Sequence, residues 1–478
     1  MEGYEDHDAT ALAALVAGGE VTPAELLDAA LARAAARDPA IGAMASIRPD
    51  SARAAIDAGL PDGPFRGVPF LLKDLGAEAI DYPSNSGSRL FAATSYDYDS
   101  EIWRRMRATG VVCFGRTTSP EGGIGPATEA AVYGAPTRNP WDTSRTAGGS
   151  SGGAGAAVAA GIVPLAHGSD GGGSVRIPAS CCGLLGFKAT RARFPDGPAA
   201  GEGWAGMAID GFLARSVRDA AAMMDACAGP DLGAPYAAPP LAEGYLAASR
   251  RPPGRLRVGL CETRFDGTPV HPDCAAAARG AASLLEELGH HVTPMRPEAD
   301  HAGMMVAWTR IVACGAAASV RGKLARLGRE LRQGDVEGVT RGAIRYAAGI
   351  DGAGYLESVE TIHAYGREMA RAMDGIDVLL SPTLAEPPAE IGRFAHDTED
   401  YEAFRIGEGG VFTYSPFCAA FNASGQPAVS VPLHWSEAGL PIGVHLAAPF
   451  GADETLIALC AQLEEARPWI GRRPPAAA

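Results

Sequence analysis

Near the start of the chain, apolar residues recur at the spacing of an amphipathic helix. Residues 22–25 (TPAE) form a capping box, with Pro23 at the first helical position. One face of the helix then stays apolar through Leu26, Leu27, Ala30 and Leu31. We expect a long helix here that ends at about Ala36.

A different pattern follows at residues 68–72 (VPFLL), where apolar residues occupy both faces of a predicted strand. Such a strand is typical of the interior of a layered α/β structure. It leads directly into Lys73 and Asp74. Helical and strand patterns then alternate along residues 99–109, 111–115, 152–160, 162–166 and 183–187. This alternation predicts an α/β fold with a mainly parallel or mixed sheet.

The Gly- and Pro-rich residues 191–211 interrupt the alternation, and we interpret them as a lid or a pocket wall. Residues 216–219 then cap a helix predicted over 220–228. Later strands are predicted at 256–260, 291–292, 378–380, 428–431 and 442–446. Helices are predicted after the strand 256–260 as far as residue 288, through most of 302–372, and over 454–466. No internal repeat or long linker divides the chain, so we expect a single domain over residues 1–478.

Composition and charge narrow the class of protein. The 478 residues are 47% hydrophobic and 20% charged, which excludes a disordered or fibrous chain. The formal net charge of −15 repels polyanions, so we expect no nucleic-acid partner. The first ten residues (MEGYEDHDAT) lack the features of a secretory signal, and no run of about 18 apolar residues follows. We therefore expect a soluble, cytoplasmic protein without a membrane partner.

The nine cysteines and ten histidines show no spacing that is typical of a metal site. We expect no metal and no disulfide framework. Lysine is rare, because only three of the 41 basic residues are lysines: Lys73, Lys188 and Lys323. Lys73 follows a buried strand, where desolvation would lower its pKa and allow it to act as a base. On this feature alone, a lysine that reaches the surface or pairs with Asp74 is the favoured interpretation.

Two glycine-rich loops carry serines. Residues 148–153 (GGSSGG) hold Ser150 and Ser151, and lack the lysine that would make this turn a phosphate-binding P-loop. Residues 170–176 (DGGGSVR) end their glycines at Ser174, and free backbone N–H groups here would suit an anion nest or an oxyanion hole. A purely structural turn remains open for both loops.

The placement of these loops is more informative than either one alone. Lys73 and Ser174 both follow predicted core strands, whose carboxyl ends border the ligand crevices of open α/β sheets. The loops could therefore meet. A serine nucleophile needs a base, and neither loop contains a histidine. Neutral lysine, acting directly or through the other serine, is then the available proton acceptor.

Residues 148–188 resemble the amidase signature in nearly every defining position. GVPFLLKDL (67–75) and PTRNPWD (136–142) resemble its flanking elements, and SGQPAVSVPL (424–433) and LPIGVHL (440–446) resemble its C-terminal strands. The resemblance implies a large mixed, twisted β-sheet with helices on both faces. The signature core would span about 60–230, and residues from about 250 to 470 would complete the sheet and the substrate pocket.

The same resemblance assigns roles to residues. Ser174 would be the nucleophile, Ser150 the intermediate serine preceded by a cis peptide bond, and Lys73 the base. The oxyanion hole would consist of the amides of Gly171, Gly172, Gly173 and Ser174. Asp170, Arg176 and Ser151 would support the loops. Gly171 departs from the family pattern, because many members carry a larger residue there, and this bears on pocket shape.

The implied activity is hydrolysis of amide-type carbon–nitrogen bonds through an acyl-enzyme, without a cofactor, on a small-molecule substrate. The sequence is similar to those of stand-alone bacterial amidases, including those that open nylon-type cyclic amides. The resemblance also allows esters or carbamates (urethanes) as substrates of the same catalytic groups. A monomer or homodimer is expected. One alternative is the glutaminase subunit of a tRNA-dependent amidotransferase, and another is a nucleotide-binding module. Candidates for the pocket wall are Phe417, Cys418 and Phe421.

Overall fold

The computed structural model describes residues 3–92 and 94–475. Its strands are β1 (Met44–Ile47), β2 (Pro69–Lys73), β3 (Val112–Thr117), β4 (Arg138–Asn139), β5 (Asp142–Thr146), β6 (Leu165–Asp170), β7 (Leu185–Lys188), β8 (Ile209–Ala214), β9 (Arg257–Leu260), β10 (His291–Pro294), β11 (Val378–Pro382), β12 (Ala428–Trp435) and β13 (Pro441–Ala447).

The helices are α1 (Ala9–Ala17), α2 (Pro23–Ile41), α3 (Pro49–Asp57), α4 (Glu101–Ala108), α5 (Gly152–Ala159), α6 (Arg176–Cys182), α7 (Val217–Cys227), α8 (Tyr245–Ala248), α9 (Pro272–Glu287), α10 (His301–Leu327), α11 (Gly338–Ala348), α12 (Gly352–Ala372), α13 (Tyr401–Ile406), α14 (Val411–Tyr414), α15 (Cys418–Ser424) and α16 (Asp453–Ala466).

Eight strands form one mixed sheet in the order β10-β9-β11-β13-β12-β7-β8-β6. Strand β9 runs parallel to β10 and β11, and the remaining neighbours pair antiparallel. Both halves of the chain contribute strands, because β6 to β8 belong to the first half and β9 to β13 to the second. The predicted α/β fold with a large mixed sheet is confirmed.

Lys73 does not end a strand of this large sheet. Its strand β2 belongs to a separate three-stranded sheet in the order β1-β3-β2, in which β2 and β3 are parallel. All five residues of β2 are buried, as the apolar run predicts. Strand β2 packs beside β6, and the Lys73 amide donates to Nδ1 of His167 on β6 at 3.2 Å. Strand β2, which ends at Lys73, and strand β6, which ends at Asp170, therefore contact each other although they belong to different sheets.

Several predicted boundaries shift for local reasons. The strand predicted at 162–166 begins at Leu165, because the N–H of Ile162 closes the end of α5 on the carbonyl of Ala157. Helix α2 continues five residues past Ala36 and ends at Gly42, which has the left-handed φ of +60° that commonly terminates a helix. The last residues of the 191–211 segment belong to β8.

Helix α7 begins earlier than residue 220. Its N-cap is Ser216, whose Oγ accepts from the Asp219 amide at 3.3 Å, and its first residue is Val217. The capping residues were therefore right and the helix start was wrong. Strands β1, β4, β5 and β8 and helices α1, α3, α6, α8 and α13 to α15 were not predicted. Most of them are short, and short elements carry little periodicity.

The buried core is continuous from Tyr4 to Trp469 and includes residues of every strand of the large sheet except β10. Among the described residues, α10 is the one helix with the length and apolar composition to cross a membrane. It packs against α11 and α12, and its Trp308 and Ile311 are buried in the core. Internal packing therefore accounts for the apolar side of α10.

Candidate active site

Lys73 is the last residue of β2, and its side chain is fully buried. Its Nζ donates to Oγ of Ser150 at 2.7 Å and to Oγ of Ser169 at 2.9 Å. Desolvation by burial lowers the pKa of Lys73 to about 7, while the charges of Asp210 and Asp170 act in the opposite direction. Close to neutral pH, this lysine is therefore available both to accept and to donate a proton.

The other interpretations of Lys73 are wrong. The ammonium does not reach the surface, because the residue is 0% exposed. Asp74 does not pair with it either. The Asp74 carboxylate accepts instead from the Tyr133 hydroxyl at 2.6 Å and from the Asn85 amide at 2.8 Å.

His167 and Asp210 form a hydrogen-bonded pair next to Lys73, in which the imidazole is fully buried and the carboxylate is mostly buried. His167 accepts the Lys73 amide at Nδ1, and its Nε2 lies 2.9 Å from Oδ1 of Asp210 on β8. Because Nδ1 acts as an acceptor, Nε2 carries the proton and donates it to Asp210. This pair ties β2 to β6 and β8, and so sets where the Lys73 side chain begins.

Ser150 follows a cis peptide bond with Gly149, as the resemblance implied. The preceding backbone is tightly packed, since a Cβ at Gly149 would stand 2.8 Å from the amide nitrogen of Ala127. Ser151 fastens this turn to its neighbours. Its amide donates to the Ser174 carbonyl at 3.2 Å, and its Oγ accepts from the Ser169 amide at 3.2 Å. The two serine loops are therefore held against each other.

Residues 170–176, here termed the nucleophile loop, are organised by one carboxylate. Asp170 accepts from the amide of Gly173 at 2.8 Å and from the amide of Val175 at 3.1 Å. It also forms a two-pronged pair with Arg176, whose Nε and second guanidinium nitrogen lie 2.9 and 2.8 Å from its oxygens. Both side chains are fully buried. The loop is therefore fixed from within rather than by solvent.

The charge state of this pair is set by competing effects. Burial by itself would raise the pKa of Asp170, but the Arg176 guanidinium and hydrogen bonds from Arg176 and Asn422 hold it well below its usual range. Asn422, on α15, accepts from Arg176 at 2.7 Å and donates to the Asp170 carbonyl at 2.9 Å. The ion pair is therefore hydrogen-bonded on several sides, as a buried pair requires.

One of the four backbone amides predicted to form the oxyanion hole is already hydrogen-bonded within the nucleophile loop. The Gly173 N–H is engaged by Asp170 and does not point to a ligand. No acceptor among the described residues takes the N–H of Gly171, Gly172 or Ser174. Gly173 instead meets a backbone need, because its φ is +123° and a Cβ there would stand 2.6 Å from that of Cys418. Three of the four predicted amides are thus free to bind an anion.

Ser150, Ser169, Gly171 and Ser174 line one cavity of about 340 Å³. The rest of its wall is mainly apolar and comes from the segment 191–211, from α10 and α11, and from the chain after β2 and β3. Its main apolar members are Leu75, Phe91, Ile124, Trp204, Ala208, Ala316, Val320 and Val336. Glu78 and Glu121 are the charged residues among the described ones that line it. The segment 191–211 does contribute a pocket wall.

Phe417, Cys418 and Phe421 do not line this cavity. All three are fully buried, and Phe417 and Phe421 pack edge-on against Phe265 in the core. Their apolar character reflects core packing behind the nucleophile loop.

Four residues of the site were missed by sequence reasoning: His167, Ser169, Asp210 and Asn422. His167 and Ser169 lie inside the quoted run and could have been singled out as polar residues on a core strand. Asp210 and Asn422 lie far from the loops in the sequence and carry no local signal.

Comparisons with known proteins agree with this geometry. A family model described as Amidase matches residues 25–457. A 6-aminohexanoate-cyclic-dimer hydrolase from Paenarthrobacter ureafaciens is 40% identical over 478 residues, which cover 98% of this chain and 96% of the relative. A solved structure of a 6-aminohexanoate cyclic dimer hydrolase complexed with substrate superposes with a TM-score of 0.94, at 37% identity and full coverage of both chains.

A solved bacterial aryl acylamidase of the amidase signature family superposes with a TM-score of 0.86, at 29% identity over 98% of this chain and 99% of that one. The match therefore extends over both the signature segment and the C-terminal strands. Ser150, Ser174 and Gly171 line one cavity, Lys73 is hydrogen-bonded to Ser150, and the chain belongs to the amidase signature family of hydrolases that act on carbon–nitrogen bonds.

Proposed function

We propose that this protein hydrolyses small, uncharged amides through an acyl-enzyme on Ser174. The observation that carries the proposal is the 2.7 Å contact between Nζ of Lys73 and Oγ of Ser150, in a cavity that Ser174 also lines. Serine attacks an amide only when a base removes its proton. A lysine whose pKa is lowered to about 7 supplies that base near neutral pH.

In the acylation step, neutral Lys73 accepts the proton of Ser150 while Ser150 accepts the proton of Ser174. Oγ of Ser174 forms a bond to the carbonyl carbon, and the oxygen becomes an oxyanion. The free amides of Gly171, Gly172 and Ser174 donate hydrogen bonds to it. The C–N bond then breaks, and the leaving nitrogen takes a proton from Ser150, which is re-protonated by Lys73.

Deacylation runs through the same groups in reverse. A water molecule loses a proton to Ser150 and Lys73 and attacks the acyl carbon, and Ser174 regains its proton as the carboxylic acid leaves. The loop geometry persists through both steps because Asp170, Arg176 and Asn422 are bound to each other and not to the substrate. These three residues support the reaction without contacting the reacting atoms.

The wall of the cavity indicates which amides fit. It is mainly apolar, and its charged residues are the carboxylic acids Glu78 and Glu121. An anionic substrate would lose its hydration without gaining a cationic partner there. Neutral aliphatic, cyclic or aryl amides avoid this cost. The similarity to a 6-aminohexanoate-cyclic-dimer hydrolase supports a cyclic amide as one substrate, and esters or urethanes would use the same machinery.

The glutaminase alternative fits the cavity less well. Free glutamine carries an α-carboxylate that needs a positively charged partner, and no lysine or arginine is among the described residues of the wall.

A matched substrate panel separates the two activities. It contains the cyclic dimer of 6-aminohexanoate, hexanoyl p-nitroanilide and glutamine, each incubated with the protein and with Ser174→Ala.

We expect the protein to release product from the cyclic dimer or the anilide and not from glutamine, and Ser174→Ala to release none. Turnover of glutamine alone would favour the alternative, and equal turnover by Ser174→Ala would refute the nucleophile.

We further propose that the chain acts as one domain, as a monomer or homodimer in the cytoplasm, without a nucleic-acid or membrane partner. Support comes from the continuous core between Tyr4 and Trp469 and from the net charge of −15. Light scattering of the purified protein measures the oligomeric state. A mass above that of a dimer would contradict this part of the proposal.

A further inference from the structure

Trp204 lies at the start of a tight turn within the segment 191–211. The Met207 amide donates to the Trp204 carbonyl at 3.2 Å and closes the turn. The φ angles of Trp204, Ala205 and Gly206 are +51°, +54° and +74°. Tryptophan and alanine rarely adopt this left-handed region, and such strain persists only where the surrounding structure holds the backbone in place.

Two side chains from outside the turn hold it. Nε of Arg191 donates to the Gly206 carbonyl at 2.8 Å, and Nδ2 of Asn422 donates to the Met207 carbonyl at 3.0 Å. The same Asn422 amide group binds Asp170. The turn is therefore fastened to the residues that organise the nucleophile loop. It forms a fixed wall rather than a lid.

The indole of Trp204 occupies space that two glycines leave open. A Cβ at Gly171 would stand 2.5 Å from Cζ3 of the indole, and a Cβ at Gly315 on α10 would stand 2.8 Å from Cδ1. Trp308 packs against Trp204 edge-on at 5.8 Å between ring centroids, and its own Nε1 donates to the Gly171 carbonyl at 3.0 Å. The indole is thus clamped between the nucleophile loop and α10.

We infer that Trp204 is a specificity-determining residue of the amidase site, an inference that rests on the function proposed above. Its half-buried indole lines the cavity that contains Ser174. Because the ring is packed against Gly171, Gly315 and Trp308, the substrate group on this side of the scissile carbonyl should be flat or unbranched. Linear alkyl chains, flexible rings and aryl groups meet this condition, whereas a quaternary carbon does not.

Two matched pairs of amides test this selection. Hexanoyl and 2,2-dimethylhexanoyl p-nitroanilide differ on the acyl side, and N-butyl and N-tert-butyl hexanamide differ on the amine side. For each pair, the ratio of kcat/KM for the unbranched over the branched amide is measured in the wild type and in Trp204→Ala. Differences in intrinsic reactivity cancel because the same pair is used for both proteins.

We expect the ratio to fall in Trp204→Ala by about 10- to 200-fold in at least one pair. This is the range of discrimination in kcat/KM that one extra carbon atom produces in a tight apolar pocket. Unchanged ratios in both pairs would overturn the inference. A wild type that hydrolyses neither unbranched amide nor the cyclic dimer of 6-aminohexanoate would instead refute the proposed function. A wild type that hydrolyses the cyclic dimer but neither unbranched amide would overturn the inference alone, because linear alkyl chains should fit, so the two failures are distinguishable.

A second variant keeps the tryptophan and moves it. The methyl group of Gly315→Ala would press on the indole, so we expect kcat/KM for hexanoyl p-nitroanilide to fall about 10- to 100-fold, as for other small displacements at a site. In the Trp204→Ala background the same substitution should have no effect. Additive losses in the double variant would overturn the inference. If Trp204→Ala folds poorly, Gly315→Ala in the wild-type background still tests the inference against its control, and a loss no larger than that of the control would overturn it.

The matched control is Gly322→Ala on the same helix. Gly322 is exposed, and a Cβ there would meet nothing within 4 Å. This substitution changes helix propensity in the same direction as Gly315→Ala. It should leave kcat/KM and the substrate ratios unchanged in both backgrounds. A loss equal to that of Gly315→Ala would mean that helix α10, and not the Trp204 contact, controls the site, and would also overturn the inference.

Discussion

Nζ of Lys73 lies 2.7 Å from Oγ of Ser150, and both residues are almost completely shielded from solvent. A charged ammonium is costly at such a position, and burial accordingly lowers the pKa of Lys73 to about 7. This relationship joins the end of strand β2 to a loop residue 77 positions later in the sequence. It supports the proposed role of Lys73 as the proton acceptor of the site and leads to the first two predictions.

The activity should depend on the protonation of Lys73. Since the base must be neutral, kcat/KM for hexanoyl p-nitroanilide should fall as pH drops below about 7 and level off above it. Lys73→Arg should lose about 100- to 10,000-fold at every pH, because a guanidinium does not release its proton in this range. Rates measured from pH 5 to 9 check both points. An arginine variant with most of the activity would refute the base.

The acid limb of this profile should respond to Asp210. The negative charge of Asp210 raises the pKa of Lys73 against the larger effect of burial. Asp210→Asn removes the charge but keeps an oxygen that accepts from His167. We therefore expect the acid limb to shift to lower pH. A loss of activity with an unshifted profile would indicate that Asp210 acts only by holding His167.

Ser174→Ala should abolish turnover while leaving the fold intact. The substitution removes one hydroxyl from a loop that is held by Asp170 and Arg176 and not by Ser174 Oγ. Intact-mass spectrometry with an irreversible fluorophosphonate should show one adduct on the wild type and none on the variant. Thermal unfolding serves as the control for folding. An adduct on the alanine variant would place the nucleophile elsewhere.

Ser150→Ala should harm amides more than activated esters, provided that acylation limits both rates. An amine leaves only when it is protonated, and Ser150 is placed to pass it the proton from Ser174. A nitrophenolate needs no such proton. The amide should therefore lose about 100- to 10,000-fold in kcat/KM, and the ester with the same acyl group should lose less. Equal losses would restrict Ser150 to activation of the nucleophile or to loop geometry.

Breaking the buried ion pair should cost stability. Asp170→Asn leaves the fully buried Arg176 guanidinium without its charged partner, and such changes typically cost about 3–5 kcal/mol. Urea unfolding of the variant measures this loss. Asp377→Asn is the matched control, because its pair with Arg257 lies largely in solvent and should contribute far less. Equal losses would show that burial does not set the value of the Asp170 pair.

Part of the fold followed from local patterns. The capping box at Thr22 and Glu25 starts α2 with both reciprocal hydrogen bonds, and the apolar run before Lys73 forms a strand buried on both faces. Such features depend on residues a few positions apart, so the sequence carries them directly. The short strand β1 and the short helices α13 to α15 were missed because four to seven residues hold less than two helical turns or a few strand alternations.

The candidate chemistry was also present in the sequence, because Lys73 ends an apolar strand and Ser150 and Ser174 lie in glycine-rich loops whose composition points to it. Tertiary structure alone decided how these groups work. It placed Lys73 in a different sheet from the nucleophile loop, assigned the Gly173 amide to Asp170, and brought in Asn422.

By itself, then, the sequence determined the class of fold and the family, and it pointed to the residues proposed to carry the reaction. It did not determine the wall of the pocket, where Trp204 stands against Gly171 and Gly315 while Phe417 and Phe421 pack into the core. The physical reason is the separation in sequence between the residues that interact. Local periodicity and turn chemistry act over a few residues, whereas the pocket is built from segments more than a hundred residues apart, whose contacts exist only after the layers pack.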